Sequence, residues 1–588
     1  MKNLLIIPII LSLHLIDPCN AHAQTGWKWG KGCTAYGSVE IDAWAAAADK
    51  DGNVYAGGVI FSADSTRFGP FTVYDPGDTS KLFITKADSL GTYQWVLHNQ
   101  VGVALPQCMA TDTSGNLYIL ALYGSPTFKI GTVTLTQSGV NNMYALIKVS
   151  PSGSVLWAEN IAPEEFTSFN AFLSNLGYAG NIGIDGAGNV YVSGTFYSAS
   201  ITIGTVTLYN GRTAGGAYNV FVAKYDPSGS LVWAKGMADK KNIVLRSMAV
   251  SEHGAVYVAG EFEDTLTTGG VMLTDSLATD SLAFVVKMDS TGHTSWASKN
   301  GQYLLKYTAI GTDNNDRVYV AGYFNGSITY GSSTLTPPAG YGYNILVACL
   351  DSSSAVRWVR AAYDTAAHYR NVPSVVNVDN CGKLCVSGTF EYGPSVPPAS
   401  HFLVFGTDTL RMPAGDFDPL FLAVYDTSGS YYMSSALAGG GEDWNGAAVD
   451  NRGNVYICSD NADTMIVVSD TLKVIAVGAE TFYFAKYHYG TGMCSLTTED
   501  THTTPTPQEG ISLYPNPAFE SCTIKSDQDF GSGATAELYD VQGRRVATYP
   551  LYGNTATISF TGISPGMYFC RIHPGDGSNV TVKKLVVE

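Results

Sequence analysis

Apolar and polar residues alternate along this chain in runs of four to eight, and the runs are punctuated by Asp, Gly, Asn and Ser. NVYVSGTF at 189–196 and FVAKYD at 221–226 have the aromatic, β-branched content of short strands. DGAG ahead of the first and PSGS after the second carry turn chemistry. No amphipathic helical window stands out. The pattern predicts an all-β chain.

The stretch Asp185–Trp233 recurs as a unit seven times between Trp27 and Cys494. Its first anchor is an Asp-x-x-Gly turn entering a strand, as in DKDGNVYAGG at 49–58, DGAGNVYVSG at 185–194 and DNRGNVYICS at 450–459. The leading Asp (Ser251 once) lies six residues before the Tyr position (Cys385 once) in every unit. The second anchor is a strand, a turn and a strand ending in Trp, as in FVAKYDPSGSLVW; nine residues separate its Lys and Trp positions in six units. Such rigid spacing is the mark of hairpins, because a one-residue slip would turn each buried side chain outward. One carboxylate per turn falls far short of the oxygen count a calcium ion takes, so the Asp series predicts turns and no metal.

The connections between anchors vary. Tyr to Lys positions run 30–33 residues apart except 39 in the sixth unit, and Trp157 to Asp185 is 28 where 17–21 is usual. In a four-stranded antiparallel unit both fixed turns lie on one face and both variable connections on the other. The variable face is the candidate binding face. The seventh unit lacks its Trp-ended strand, and Gly26-Trp27-Lys28-Trp29 at the chain start can supply it. That arrangement would set Cys33 and Cys494 at one seam, where a disulfide is expected.

These units resemble the bacterial seven-bladed propeller repeats known as SBBP repeats, through their D-x-x-GNVYVAG and FVAKYD-x-x-G-x-x-W signatures over residues 27–494. The resemblance implies a seven-bladed β-propeller. It implies no particular activity, since one fold hosts many functions.

The ends read differently. Residues 1–23 have the form of a secretory signal peptide: Lys2, the apolar run Leu4–Ile16, and Ala21-His22-Ala23 ahead of a cleavage expected between Ala23 and Gln24. Residues 495–510, rich in Thr and Pro, form an expected linker. Residues 511–588 (LYPNP, AELYDVQGRRVATY, GISPGMYFCRI and VKKLVVE) predict a small Ig-like β-sandwich. Those motifs look like the C-terminal sorting domain of the type IX secretion system of Bacteroidota. The resemblance implies export to the periplasm by Sec, then delivery by type IX machinery to the medium or cell surface.

Charge and chemistry narrow the rest. A net charge of −17 excludes a nucleic-acid face. No H-E-x-x-H, phosphate-loop or dinucleotide motif occurs, and no cofactor or transmembrane span is expected. Cys381 and Cys385 could bridge across a tight turn, and Cys522 and Cys570 could bridge the tail. Two long excursions on the variable face hold candidate contact residues: Phe166, Phe169, Phe172 and Tyr178 in one, Tyr392, His401 and Phe402 in the other. Asp-Ser-Leu and Asp-Thr-Leu triplets, including those at Asp280 and Asp408, resemble an O-glycosylation acceptor of Bacteroidota. The reading is a monomeric, secreted or cell-surface binding scaffold for a glycan or protein. The alternatives are a polysaccharide-active enzyme whose residues converge from several blades, and a structural matrix component.

Overall fold

The computed structural model describes residues 26–587 outside 37–39, 63–64, 75–79, 138–141, 165–179, 214, 276–280, 301–303, 339–341, 365–370, 391–401, 412–419, 438–444, 451, 462–464, 467–472, 475–480, 490–510, 515–517, 527, 541–544 and 576–580. The leader with its Ala23 and Gln24 junction, Cys494 and the linker lie outside that set. Every regular element is a strand among the described residues. The chain divides into two units, up to Ser495 and from Leu496.

The first unit holds seven antiparallel arrays of four hydrogen-bonded strands among the described residues, two of them within six-stranded sheets, and we number the arrays as sheets one to seven. Sheet four is representative, with strands Ile243–Val250, Val256–Phe262, Leu282–Met288 and Thr294–Lys299 from first to fourth. In sheet three the second and third strands, Val190–Phe196 and Asn219–Tyr225, are buried at every residue. The fourth, Leu231–Met237, alternates. The middle strands are covered on both faces because each sheet packs against a sheet on either side.

Seven apolar cores result, each shared by two consecutive sheets. One joins sheets three and four through Tyr191, Val222, Leu245 and Phe284. Another joins the last sheet to the first through Phe482, Phe484, Phe83 and Ile41. The first strands touch in the same cycle, including Glu40–Ala48 of sheet one against Asn445–Val449 of sheet seven. Sheet seven takes its fourth strand from Gly26–Gly32, which pairs with Thr481–His488.

A bulge sits at one place in several first strands, and it explains a glycine. In sheet four the register skips between Leu245 and Ser247, so Arg246 is the extra residue. The kinked strand brings the Val244 carbonyl over the second strand, where a Cβ on Gly260 would lie 2.1 Å from it. A Cβ on Gly58, Gly322 or Gly388 would lie 1.8, 2.0 or 2.1 Å from the equivalent carbonyl of Asp42, Lys306 or Val372. The Gly of the VYVAG signature is thus required by a close backbone approach.

The variable connection between second and third strands is not a free loop. It carries a short hairpin, such as Thr127–Ile130 with Val133–Thr136, turned on a Gly of positive φ. That hairpin docks on the fourth strand of the preceding sheet: Lys129 pairs with Val101, and Phe405 of another pairs with Ala362. Much of the variable connection is therefore spent clasping neighbours.

The second unit comprises a three-stranded sheet (Ile511–Tyr514, Ser521–Ser526, Thr555–Ser559) and a four-stranded one (Arg545–Pro550, Thr535–Asp540, Gly566–His573, Thr581–Val587). Both contribute to one core that includes Ile524, Ile558, Leu538 and Ile572.

The cysteines depart from the expected pairings. Cys33 is a free, buried thiol, so no Cys33–Cys494 bridge forms; it packs in the core between sheets seven and one. Cys381 is disulfide-bonded, while Cys385 is free, because its side chain points away from the turn into the core between sheets six and seven. Cys522 and Cys570 are free and fill the tail core as small apolar groups.

Candidate functional site

The most regular polar groups lie at the fixed turns. Asp185 Oδ1 accepts the backbone N–H of Ala187 (3.0 Å) and Asn189 (2.9 Å), and Oδ2 accepts the Asn189 amide (2.8 Å) and the Tyr191 hydroxyl (3.0 Å). Lys224 Nζ stands 3.6 Å from the same oxygen and 4.9 Å from the Tyr191 ring centroid. Burial and the adjoining carboxylate push the Tyr191 phenol up, which keeps it a donor. Lys224 and the Trp233 indole then both donate to the Ser290 carbonyl of the next sheet, at 3.3 and 3.1 Å. Trp95, Trp296, Trp358 and Trp29 reach the following sheet's turn in the same way, on Pro151, Ser352, Thr427 and Ser89. These groups are spent on one another, and the cluster is a joint between sheets.

Where a member is missing, a neighbour replaces it. Sheet five has Cys349 at the Lys position, and Arg317 from the turn itself meets Asp313 Oδ2 at 2.7 Å through both Nε and Nη2. Sheet six has Cys385 and Val424 at the Tyr and Lys positions, and the Tyr489 hydroxyl donates to Asp379 from beyond the seventh sheet. No cation takes the place of the lysine in the bonds described for Asp379, and burial raises its carboxyl above the usual range.

The opposite face is irregular in composition, and its best-defined polar cluster lies between sheets four and five. Glu261, 5% exposed, projects from a second strand. Its Oε1 accepts from Arg246 Nε (3.1 Å) and Nη2 (3.0 Å). Its Oε2 accepts from Ser281 Oγ at 2.7 Å and faces Lys306 Nζ at 3.1 Å. Lys306 also donates to the Ser281 carbonyl (2.7 Å) and hydroxyl (2.6 Å). Burial alone would push the Glu261 carboxyl up; Arg246, Lys306 and the Ser281 bond outweigh it and hold the group below the ordinary carboxylate range.

Two tyrosine pairs flank this cluster. The rings of Tyr197 and Tyr218 lie 4.9 Å apart on sheet three, and those of Tyr323 and Tyr343 lie 5.1 Å apart on sheet five. Tyr218 touches sheet four through its N–H to Asn242 Oδ1 (3.1 Å) and its carbonyl from Ile243 N–H (2.8 Å). Asn242 in turn donates to Glu263 at 3.2 Å. On the other side Tyr323 sits directly opposite Lys306 across the strand pair. Tyr218, Ser281 and Tyr343 hold one equivalent position, six residues before Lys224, Lys287 and Cys349.

Of the residues singled out from sequence on this face, Phe166, Phe169, Phe172, Tyr178, Tyr392 and His401 lie outside the described residues. Phe402 is half-buried at the start of a clasping hairpin, opposite Arg411. Sequence reading missed Arg246, Glu261, Lys306 and the tyrosine pairs. The usable signal was a charge at a position held by Val59, Leu122 and Thr195 in the first three units. Of the acceptor-like triplets, Ser281 is tied to Glu261, whereas Thr409 is exposed.

In the second unit, residues 512–588 match the family described as a secretion system C-terminal sorting domain. The protein is exported by type IX secretion, to the cell surface or the extracellular space. No described helix is long and apolar enough to cross a membrane. The exported chain is 28% identical over 200 residues to an uncharacterised WD repeat-containing protein of Acanthamoeba polyphaga mimivirus, a match spanning 31% of this chain and 14% of that protein. Among solved structures it is similar to a protein of unknown function from Dyadobacter fermentans, with 9% identity, 78% of this chain and 98% of that one covered, and a TM-score of 0.32. It is also similar to PorZ, a surface component of the type IX secretion system of Porphyromonas gingivalis, with 11% identity, 96% and 100% coverage and a TM-score of 0.17.

Proposed function

We propose that the first unit is a seven-bladed β-propeller of the SBBP type, led to the periplasm by a cleaved signal peptide, that acts outside the cell as a binding scaffold for a glycan or protein. The sheets numbered above are its blades. The cycle of shared cores and the strand Gly26–Gly32 in the last sheet support the propeller reading. One observation carries the binding reading: the polar groups of the fixed turns are consumed by joints between blades, while on the other face the polar groups differ from sheet to sheet, as around Glu261. A scaffold needs its framework constant and one surface free to differ.

Glycan and peptide arrays probed with the full secreted protein test this. Saturable retention of one ligand class, without consumption of it, is the expected result. Turnover of any retained ligand, abolished by changing one carboxylate on the variable face, would replace the scaffold with an enzyme.

A further inference from the structure

We infer that the variable face of sheets three to five binds a sugar chain carrying an anionic group; the inference rests on the scaffold reading and names its ligand class. Glu261 is fully engaged, with each oxygen facing two donors. It serves to hold two cations in place. Lys306 is likewise engaged, with three short contacts. What stays open is the outer edge of Arg246: its side chain is 30% exposed, and Nη1 donates to no described acceptor.

The bulge is what aims that guanidinium. Gln107, Thr308 and Ser374 occupy the same extra position in sheets two, five and six, so only sheet four places a charge there among these. Exposed Lys240 and Lys241 lie just upstream. With Arg246 and Lys306 both set against the single carboxylate of Glu261, the centre keeps one positive charge in excess, and that favours an anion. A planar fork suits carboxylate and sulfate alike.

The tyrosines identify what carries the anion. Two ring pairs flanking a polar centre, with Tyr197 exposed and the other three rings half-buried, offer stacking faces beside hydrogen-bonding groups, the combination a pyranose chain uses. A peptide added as a strand would need free backbone, yet the backbone groups of Tyr218 bond Asn242 and Ile243, and the Tyr343 carbonyl accepts from Asn371.

Affinity electrophoresis and calorimetry of the full secreted protein decide the matter, using polygalacturonate, dextran sulfate and neutral dextran. Binding of at least one anionic polymer, tenfold or more tighter than neutral dextran and weakened by salt, is expected; the two anionic arms separate carboxylate from sulfate. Arg246→Gln and Tyr197→Ala should each weaken it about tenfold. Tyr197 is 38% exposed, so its variant decides the case if Arg246→Gln lowers the melting temperature. Equal binding of neutral dextran, or anionic binding untouched by both variants, overturns the inference. Peptide capture with no sugar binding overturns it and leaves the scaffold standing. New reducing ends in the mixture would overturn the scaffold and leave the site.

Discussion

Asp185 and Asp379 occupy equivalent turns yet carry opposite electrostatic consequences. Asp185 has Lys224 beside it, so Asp185→Asn leaves a buried cation without its partner and should cost roughly 2–3 kcal/mol in urea unfolding. Asp379 has Val424 where that lysine would be, and burial raises its folded-state pKa above the unfolded value. A raised carboxyl contributes stability that is present below the unfolded pKa, about 3.9, and lost as pH rises through the folded one. Asp379→Asn should therefore match or exceed the natural protein in stability at pH 7 and lose that advantage near pH 3.5. Paired denaturation curves at both pH values check it; a loss at pH 7 as large as that of Asp185→Asn would sink the account. Glu261 behaves conversely: its lowered pKa makes its contribution present above about pH 4.3 and lost as pH falls through the folded value.

The element that most shapes the molecule is the bulged first strand. Gly260→Ala drives a Cβ into the Val244 carbonyl and should cost roughly 2–4 kcal/mol. Gly270→Ala, at φ +86° with open space around it, should cost only about 1 kcal/mol. Thermal melts of the pair separate collision from conformational strain. Strands and fixed turns were legible in the sequence because β-branched and aromatic content and Asp/Gly spacing report local geometry directly. The bulge was not, since an extra residue such as Arg246 shows only against its partner strand. The clasping hairpins were half-legible: ITIGTVTLY reads as a hairpin, but its docking on the previous sheet depends on a neighbour about one unit away. The Glu261 cluster draws on residues from 246 to 306, and no local pattern joins them.

For the whole molecule, thiol counting gives a direct check. Seven described cysteines are free, and burial pushes Cys33 up to about 12 and Cys349 to about 11. Native alkylation should add almost nothing, because the thiolate is the reactive form. Denaturation without reductant should expose seven thiols. Mapping without reduction should find Cys381 in a disulfide. Labelling of Cys381 before reduction would refute that bond. Removing residues 511–588 should leave the protein in the periplasm, detected by fractionation; normal surface delivery would count against the address role of the tail.

The pairing of Gly26–Gly32 with Thr481–His488 also dictates the order in which the chain can become itself. The first strand to leave the synthesis machinery must wait for the last of its array, more than 450 residues later. Closing a loop of that length costs on the order of 5 kcal/mol in chain entropy, and nothing repays it until both ends are present. Six sheets can therefore assemble in passing, while the seventh remains an open edge until residues 481–488 have emerged. Completion is a single late event, contributed equally by beginning and end. A chain halted anywhere short of it would present the unpaired strand Gly26–Gly32 to its surroundings.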